Sequence, residues 1–454
     1  MQLKLTKTAV RIGAVGALAA AAALGFTQAA LAAPAQGAVS VPCSAAALAS
    51  AISGATSGET LNLAKFCVYK LTEALPDVDT DLTINGNQST IERSYASGTD
   101  DFTILTVEDD GDLVLNKVNF RNGDADSGYA GAIVNDDDLT VNGGTFTGNA
   151  SDEYGGAIYN DGDLAVNGAT FTGNTAEDYG GAIYNEDDAT VTGSTFTSNA
   201  SLDDEYGGAI YADDDMTVTS SNFTKNSAED GGYGGAIYIE DGVDVTVTGS
   251  GFSQNSADEG GGIYNDGGLT LRGGGFTGNT AEDYGGGIFS STIADETVTD
   301  AAFRLNQAGS YGGGIYDEGD NATVTGSTFT GNYTHTSDSY GGGIYNDDDN
   351  MVVNGATFTS NSAGEGGGFY NQDDATLTGA SFSKNRARWG AGLYNYFDAT
   401  AAVSSSRISA NTATSGGGGI YNDDTGTVTL TTTSVTGNRP DNCEPLNTIT
   451  GCTN

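Results

Sequence analysis

The sequence predicts an all-β protein, a right-handed parallel β-helix of about 14 coils with a short capping helix at its N-terminal end. One observation is a Gly-Gly-Ala-Ile-like tetrapeptide that returns every 24 to 29 residues between Ala130 and Ile420. The other is a Phe-x-x-Asn-like tetrapeptide that follows about half a period later. A fixed period of this length is typical of stacked units that bury their apolar sides against one another.

Residues 155–178 illustrate how one coil is built. Alternation with a period of two places Ile158 on the inner face of a short strand. After an acidic turn, Leu164 and Val166 share a face, and Phe171 begins a third inward-facing segment. Three such strands cannot bury their apolar sides alone, so we expect each to pair in parallel with its counterpart in the next coil. Right-handedness is the sense expected of parallel crossovers.

Asparagine occupies one equivalent position in twelve consecutive coils, which predicts a turn ladder whose stacked amides bond to neighbouring coils. These residues are Asn149, Asn174, Asn199, Asn226, Asn255, Asn279, Asn306, Asn332, Asn361, Asn385, Asn411 and Asn438. A second, incomplete series runs from Asn135 to Asn422. We interpret both series as structural.

Four segments are predicted along the chain. Residues 1–32 place three basic residues before a short apolar run and a small-residue cleavage site, which is typical of a secretory signal peptide. Residues 33–119 are interpreted as the N-terminal cap and the first coils, 120–438 as the β-helix repeat region, and 439–454 as a C-terminal disulfide cap. After signal removal no segment has the apolar length to span a membrane. We therefore expect an extracellular protein, either secreted or associated with the cell surface.

The two ends of the rod are predicted to carry structural caps. Ser44 begins an Ala-rich stretch in which Leu48 and Ile52 lie four residues apart, and this spacing predicts the capping helix. The cysteines lie only outside the repeats and can oxidise after secretion. Because a rod keeps its ends apart, pairing is expected within each end. The predicted disulfides are Cys43 with Cys67 and Cys443 with Cys452.

The charge balance limits the classes of partner. The chain has 16 Lys and Arg against 60 Asp and Glu, a formal net charge of −44. Nucleic acid is excluded as a ligand because binding phosphates needs a basic surface. The acidity is compatible with a soluble extracellular face, with cation binding or with a basic partner, and we expect a monomer.

Acidic turns follow the first strand of most coils, and two interpretations compete. Carboxylates stacked at about 5 Å repel one another unless they are screened or bridged, and calcium takes several hard oxygen ligands in flexible geometry. The alternative is a solvated acidic edge without metal, and the spacing of calcium-binding β-rolls is absent from the sequence. No cofactor is required by the fold, and calcium is the candidate. Its candidate ligands are Asp136, Asp137, Asp138, Asp161, Asp163, Asp187, Asp188, Asp213, Asp214 and Asp215.

One coil carries basic and aromatic residues where other coils have acids before the glycines. Lys384, Arg386, Arg388 and the only tryptophan, Trp389, fall there, and Tyr396 follows in the next turn. Such a patch on an acidic rod can bind an extracellular acidic glycan or a cell-surface protein. The alternative is an internal patch of salt bridges to the neighbouring acidic coils.

The aromatic residue after the isoleucine of each tetrapeptide is predicted to face outward. These residues are Tyr159, Tyr184, Tyr211, Tyr238, Tyr264, Phe289, Tyr316, Tyr345, Tyr370, Tyr394 and Tyr421. Stacking along parallel strands is a structural explanation for this stripe, and a sugar-binding face is the functional one.

The paired motifs resemble the repeats of the chlamydial polymorphic outer membrane proteins. One pair is Gly-Gly-Ala-Ile at 155–158 with Phe-Thr-Gly-Asn at 171–174, and the resemblance covers residues 120–438. It implies a surface-exposed β-helix passenger with a role in adhesion. In that family a C-terminal membrane β-barrel carries the passenger, whereas nineteen residues follow Val435 here, so we expect secretion or noncovalent surface attachment instead.

The predicted function is therefore that of a structural or adhesive extracellular protein that binds ligands without catalysis. The alternative is a polysaccharide lyase or hydrolase of the pectate-lyase type, because those enzymes have a β-helical architecture. The carboxylates recur too uniformly to nominate an acid and base pair, and the lone His335 is interpreted as a surface residue. No catalytic residue is predicted.

Overall fold

The computed structural model describes residues 37–126, 128–203, 206–319, 321–335, 338–347 and 350–453. The predicted signal peptide, residues 1–32, lies outside these ranges. The described residues belong to one compact unit of stacked coils. No helix in this part of the chain is long and apolar enough to cross a membrane.

Most coils contain four short strands rather than the three that the sequence predicts. In one coil these are Ile158–Asn160, Leu164–Asn167, Thr170–Thr172 and Thr175–Ala176. The fourth strand is two residues long, which is too short for its alternation to be recognised in a sequence. Equivalent strands of successive coils pair in parallel and form four sheets, numbered here 1 to 4 in the order of the strands within a coil.

From Leu105 onward a strand of sheet 1 is followed by a strand of sheet 2, and in most coils the acidic turn joins the two. The strands of sheet 1 are Leu105–Val107, Ile133–Asn135, Ile158–Asn160, Ile183–Asn185, Ile210–Ala212, Ile237–Ile239, Ile263–Asn265, Ile288–Ser290, Ile315–Asp317, Ile344–Asn346, Phe369–Asn371, Leu393–Asn395, Ile420–Asn422 and Cys443–Glu444. The strands of sheet 2 are Val39–Val41, Glu59–Leu63, Leu82–Asn85, Leu113–Asn116, Leu139–Asn142, Leu164–Asn167, Ala189–Thr192, Met216–Thr219, Asp244–Thr248, Gly268–Arg272, Asp295–Thr299, Asn321–Thr325, Met351–Asn354, Asp374–Thr378, Thr400–Ser404, Thr427–Thr431 and Ile449–Thr450.

Sheet 3 carries the phenylalanines, and sheet 4 leads back to the Gly-Gly pair. The strands of sheet 3 are Val68–Leu71, Thr90–Arg93, Asn119–Arg121, Thr145–Thr147, Thr170–Thr172, Thr195–Thr197, Asn222–Thr224, Gly251–Ser253, Gly275–Thr277, Ala302–Arg304, Thr328–Thr330, Thr357–Thr359, Ser381–Ser383, Arg407–Ser409 and Ser434–Thr436. The strands of sheet 4 are Asp124–Ala125, Ala150–Ser151, Thr175–Ala176, Ala200–Ser201, Ser227–Ala228, Ser256–Glu259, Thr280–Tyr284, Gln307–Ala308 and Tyr333–Thr334, followed by the separate pair Arg386–Trp389 and Thr412–Gly416. Within the described ranges sheet 3 spans fifteen coils, which confirms the predicted β-solenoid.

Stacking in register builds the core. Ile158 pairs with Ile183 in sheet 1, and Phe171 pairs with Phe196 in sheet 3, so identical side chains lie above one another. The rings of Phe171 and Phe196 have centroids 4.7 Å apart and an interplanar angle of 2°. All four side chains are buried. Apolar burial therefore stabilises the interface between coils, at about 25 cal/mol per Å² removed from water.

The predicted asparagine turn ladder is confirmed. Asn174 is fully buried, and its Nδ2 donates to Oδ1 of Asn199 at 2.9 Å and to the carbonyl oxygen of Phe146 at 3.1 Å. Its backbone N–H donates to the same Oδ1 of Asn199 at 3.0 Å. A second ladder follows sheet 1, where Nδ2 of Asn160 donates to Oδ1 of Asn185 at 2.9 Å. These amides satisfy polar groups in turns that pack against the core.

Both ends of the stack carry additional structure. The predicted capping helix spans Ala45–Ser53, buries Leu48 and Ile52, and packs against the first strands of sheets 2 and 3. It covers apolar side chains that the next coil covers elsewhere. A 3₁₀ helix, Leu446–Thr448, lies inside the loop closed by the second of two disulfide bonds. The disulfide bonds are Cys43–Cys67 and Cys443–Cys452.

Candidate ligand-binding site

The aromatic stripe along sheet 1, which the sequence predicts to face outward, is largely buried. Tyr184 is 8% exposed and Tyr370 is 2% exposed, and their rings stack on those of adjacent coils. The phenol of Tyr184 donates to Oδ2 of Asp213 at 2.9 Å. Burial, together with Asp213, raises the pKa of Tyr184. The prediction of exposure is wrong because a further set of rings covers these side chains. We call the buried stripe the inner tyrosine row.

The covering rings form a second aromatic row, which we call the outer tyrosine row. Each member immediately precedes the Gly-Gly pair of its coil, or Ala130-Gly131 in the first of these coils, and its side chain reaches solvent. The ring centroids of Tyr154 and Tyr179 are 5.7 Å apart, and those of Tyr206 and Tyr233 are 5.1 Å apart. The row consists of Tyr129, Tyr154, Tyr179, Tyr206, Tyr233, Tyr284, Tyr311 and Tyr340.

Backbone geometry explains why the outer tyrosine row lies over the inner one. Gly180 follows Tyr179 and has a φ of +63°, which residues with a side chain rarely adopt. At Gly181 a Cβ would lie 2.4 Å from the carbonyl oxygen of Ala200, so the coils approach too closely there for any other residue. The chain turns sharply at this pair, and the ring of Tyr179 comes within 6.2 Å of the ring of Tyr184, centroid to centroid.

Two carboxylates replace tyrosines in the outer row. Glu259 is in register with Tyr233 on one side and Tyr284 on the other. Burial, together with neighbouring carboxylates, raises the pKa of Glu259 to about 7, so this group is partly protonated at neutral pH. Burial also raises the pKa of Glu365, which precedes Trp389 in the same register. The row therefore combines apolar faces with two hydrogen-bonding groups.

The outer tyrosine row is absent from the sequence-based predictions, although its signal is present in the chain. A tyrosine stands directly before Gly-Gly at positions such as Tyr154, Tyr179 and Tyr311, with the period of the repeat. Position relative to a tight turn, rather than alternation within a strand, determines that these rings reach the surface.

The ten candidate calcium ligands divide into two groups. Asp136, Asp161 and Asp213 each follow a strand of sheet 1 directly, on the side of the inner tyrosine row, where Tyr184 donates to Asp213. Burial raises the pKa of Asp136 and of Asp213. Among the described residues, none of these three carboxylates belongs to the close carboxylate groups that the other seven candidates form.

The remaining candidates form an acidic ladder at the start of sheet 2. It borders an open groove of about 670 Å³. In the described part of the chain, three groups bring carboxylate oxygens within 4.8 Å of one another. They are Asp112 with Asp137 and Asp138, Asp163 with Asp187 and Asp188, and Asp188 with Asp214 and Asp215. Burial and the adjacent carboxylates raise the pKa of Asp188. The donor set suits calcium, and binding of calcium stays a prediction.

The predicted basic and aromatic patch is divided among several surfaces. Arg386 and Arg388 project from sheet 4 into an open groove of about 480 Å³, which we call the basic groove. Lys384 lies in the turn before this strand, Trp389 continues the register of the outer tyrosine row, and Tyr396 lies in the turn after sheet 1. The other residues that line the basic groove are Thr334, His335, Ser362, Ala363, Gly364, Ala387 and Thr414.

The two arginines of the basic groove are exposed. Among the residues that the structure describes, neither Arg386 nor Arg388 forms a salt bridge, whereas Arg93 and Arg121 near the N-terminal end do. Arg388 acts electrostatically on Glu365 of the preceding coil, lowering its pKa against the larger effect of burial, so the alternative of pairing with neighbouring acidic coils stays a prediction. The positive charge of the basic groove is directed toward solvent.

Comparison with known families agrees with the coil architecture. The family model described as the right-handed β-helix region matches residues 82–273 and residues 180–346, which together make up more than half of the chain. The protein belongs to this family of right-handed β-helix proteins. No curated protein and no solved structure matches the chain significantly.

Proposed function

We propose that the protein is an extracellular structural or adhesive β-helix that binds a polysaccharide along the outer tyrosine row and has no catalytic activity. The observation that supports this most directly is the row of partly exposed rings that follows the axis of the coil stack. Most neighbouring rings of the row stack on one another, so each tyrosine offers its ring edge and its hydroxyl group to a sugar chain that lies over the row.

The spacing and charge of the row favour a neutral, extended glycan. Neighbouring ring centroids lie 5.1 Å apart at Tyr206 and Tyr233 and 5.2 Å apart at Tyr311 and Tyr340. This distance is close to the length of one pyranose unit in an extended chain, so successive sugars meet successive rings. Glu153 lies near the row and contributes to the raised pKa of Tyr154, after burial. Such carboxylates repel a polyanionic glycan and accept hydrogen bonds from sugar hydroxyls.

Three features support an extracellular, adhesive role. The disulfide bonds at both ends suit an oxidising environment. The predicted signal peptide at 1–32 provides a route out of the cytoplasm. Resemblance of the repeats at 120–438 to the passengers of chlamydial polymorphic outer membrane proteins favours adhesion over chemistry.

Binding is tested by titrating the protein with neutral β-1,4-linked oligosaccharides and, in parallel, with polygalacturonate. We expect the neutral chains to bind, and the double variant Tyr179→Ala with Tyr206→Ala to bind them at least about tenfold more weakly because two rings and their hydroxyl groups are lost from the row. Tyr95→Ala is the matched control, since Tyr95 is 75% exposed and lies outside the row. Unchanged affinity in the double variant would refute the assignment of the row.

Polysaccharide hydrolysis is the second candidate function, and Glu259 is the observation that favours it. Its carboxyl, with a pKa raised to about 7 chiefly by burial, lies between two rings of the row and resembles a general acid beside a bound sugar. The test is release of reducing ends from neutral glycans and of unsaturated products from polyuronates. If the unmodified protein forms product and the Glu259→Gln variant does not, the protein is an enzyme and the adhesive assignment is wrong.

A further inference from the structure

The outer surface of sheet 4 changes charge along the rod. One residue follows the inward-facing residue of each sheet 4 strand, and these positions are in register from coil to coil. We call the series of these residues the column. In the N-terminal coils this column is acidic apart from Leu202. Its acids are Asp126, Asp152, Glu177, Glu229, Asp258 and Glu282. In the C-terminal coils the equivalent residues are Gly309, His335, Gly364, Arg388 and Thr414.

Two grooves of opposite charge lie on this one face. The acidic groove has a volume of about 750 Å³ and is lined by Glu229, Asp230, Asp258 and Glu282 together with small residues. The basic groove lies several coils further along and contains Arg386 and Arg388. Gly309, a residue without a side chain, occupies the column between them.

We propose that the sheet 4 face binds a second copy of this chain, with the two rods antiparallel and related by a twofold axis near Gly309. A twofold interface uses the same patch on both copies, so a patch with one acidic and one basic half is complementary to itself. The axis brings Arg388 of one copy opposite Glu229 of the other, because each lies three coils from Gly309. His335 faces Glu282 by the same count.

The chemistry of the two halves favours this partner over others. Acidic side chains of the column repel one another in the single rod; for example, Asp152 raises the pKa of Glu177. Arg388 of each copy relieves this repulsion at Glu229 of the other, so two acidic coils gain a basic partner because the interface is used twice. The arginines in turn gain carboxylate partners in addition to Glu365, whose pKa Arg388 lowers within its own rod against the larger effect of burial. A two-copy assembly then replaces the monomer expected from the sequence.

The test measures molar mass by sedimentation and light scattering in about 0.1 M and about 1 M salt. We expect the mass of two copies at the lower salt concentration and a shift toward one copy at the higher, because screening weakens exposed charge pairs. Arg386→Glu with Arg388→Glu should raise the dissociation constant at least about tenfold. Arg272→Glu with Arg304→Glu is the matched control, since both arginines are exposed on other sheets and the change in net charge is identical.

A charge exchange identifies the partner surface. The variant Glu229→Arg, Asp258→Arg and Glu282→Arg should also be a single copy by itself, yet should form a heterodimer when mixed with Arg386→Glu and Arg388→Glu, because each supplies what the other lacks. A single-copy mass for the unmodified protein at both salt concentrations would overturn the proposal. The proposal would also be overturned if the variant Arg386→Glu with Arg388→Glu kept the mass of two copies and lost binding of an acidic glycan. Glycan binding at the outer tyrosine row is measured in a separate experiment, and its result does not depend on whether two copies associate.

Discussion

A single buried asparagine serves three coils at once. Oδ1 of Asn226 accepts from the backbone N–H and from Nδ2 of Asn199, and its own Nδ2 donates to the carbonyl oxygen of Phe196 and to Oδ1 of Asn255 in the next coil. Removing the amide leaves these groups buried without their partners, and each such loss costs about 1–3 kcal/mol. The amide is thus a structural requirement of the turn, and not an acceptor site for modification.

We predict that Asn226→Ala lowers the free energy of unfolding by about 3 kcal/mol or more. The measurement is denaturant unfolding followed by circular dichroism. Asn222→Ala is the control, because Asn222 is exposed on the same coil and outside the ladder. Equal stability of the two variants would contradict the structural role of the ladder.

At the scale of one element, the acidic ladder at the start of sheet 2 concentrates charge without a counterion among the described side chains. Asp188 belongs to two of its three carboxylate groups, so it is the most informative position for a calcium test. Calcium would bridge successive coils through hard oxygen ligands and lower their mutual repulsion.

We predict that calcium raises the melting temperature and that a chelator reverses the effect. Asp188→Asn should reduce the calcium-dependent shift by more than half, because two groups lose a ligand. Asp241→Asn removes the same charge from an exposed position outside the ladder and should leave the shift intact. If calorimetry detects no heat of calcium binding and calcium does not shift the melting temperature, the acidic ladder is a solvated edge without metal.

The inner and outer tyrosine rows show, also at the scale of the element, where sequence reasoning succeeds and fails. Ile158, Phe171 and Asn174 were predictable because each repeats at a fixed spacing and each packs against its own copy. Exposure of Tyr184 was inferred from alternation alone and is wrong, since Tyr179 crosses a glycine turn to cover it. Contacts across a turn depend on backbone direction, which residue alternation does not encode.

The residues of the basic and aromatic patch are spread over several surfaces for a related reason. Lys384, Arg388 and Tyr396 are close in sequence, yet a turn, a strand and a second turn direct them to different surfaces. In a β-helix, residues one whole coil apart in sequence lie next to each other in space, whereas residues ten positions apart often lie on different faces. The groove that Arg386 and Arg388 form with His335 is therefore visible only after the coils are stacked.

For the whole molecule, the excess of acids determines how stability depends on pH. In the described part of the chain, every carboxyl with a shifted pKa except Glu92 is raised, chiefly by burial, by neighbouring carboxylates or by both. The pKa of Asp347 rises to about 6 and that of Glu259 to about 7. A carboxyl with a raised pKa in the folded state favours folding below its unfolded pKa, and this contribution is lost as pH rises through the folded value.

We therefore predict that the melting temperature is highest at mildly acidic pH and falls by several degrees between pH of about 4.5 and about 7.5. Melting curves over this range provide the measurement. About 1 M salt should flatten the profile by screening, and Glu259→Gln should remove its part near neutrality. A melting temperature that rises with pH would show that partners or cations neutralise these groups.

Stacking in register has an evolutionary consequence. Because each coil contacts only its two neighbours through nearly identical ladders, duplication or loss of one repeat in the gene leaves every other interface intact. Such an event also adds or removes one ring of the outer tyrosine row and one rung of the turn ladder together. The length of the coil stack, and with it the number of sugar units that the outer tyrosine row holds, can thus change by one coil at a time while the fold stays the same.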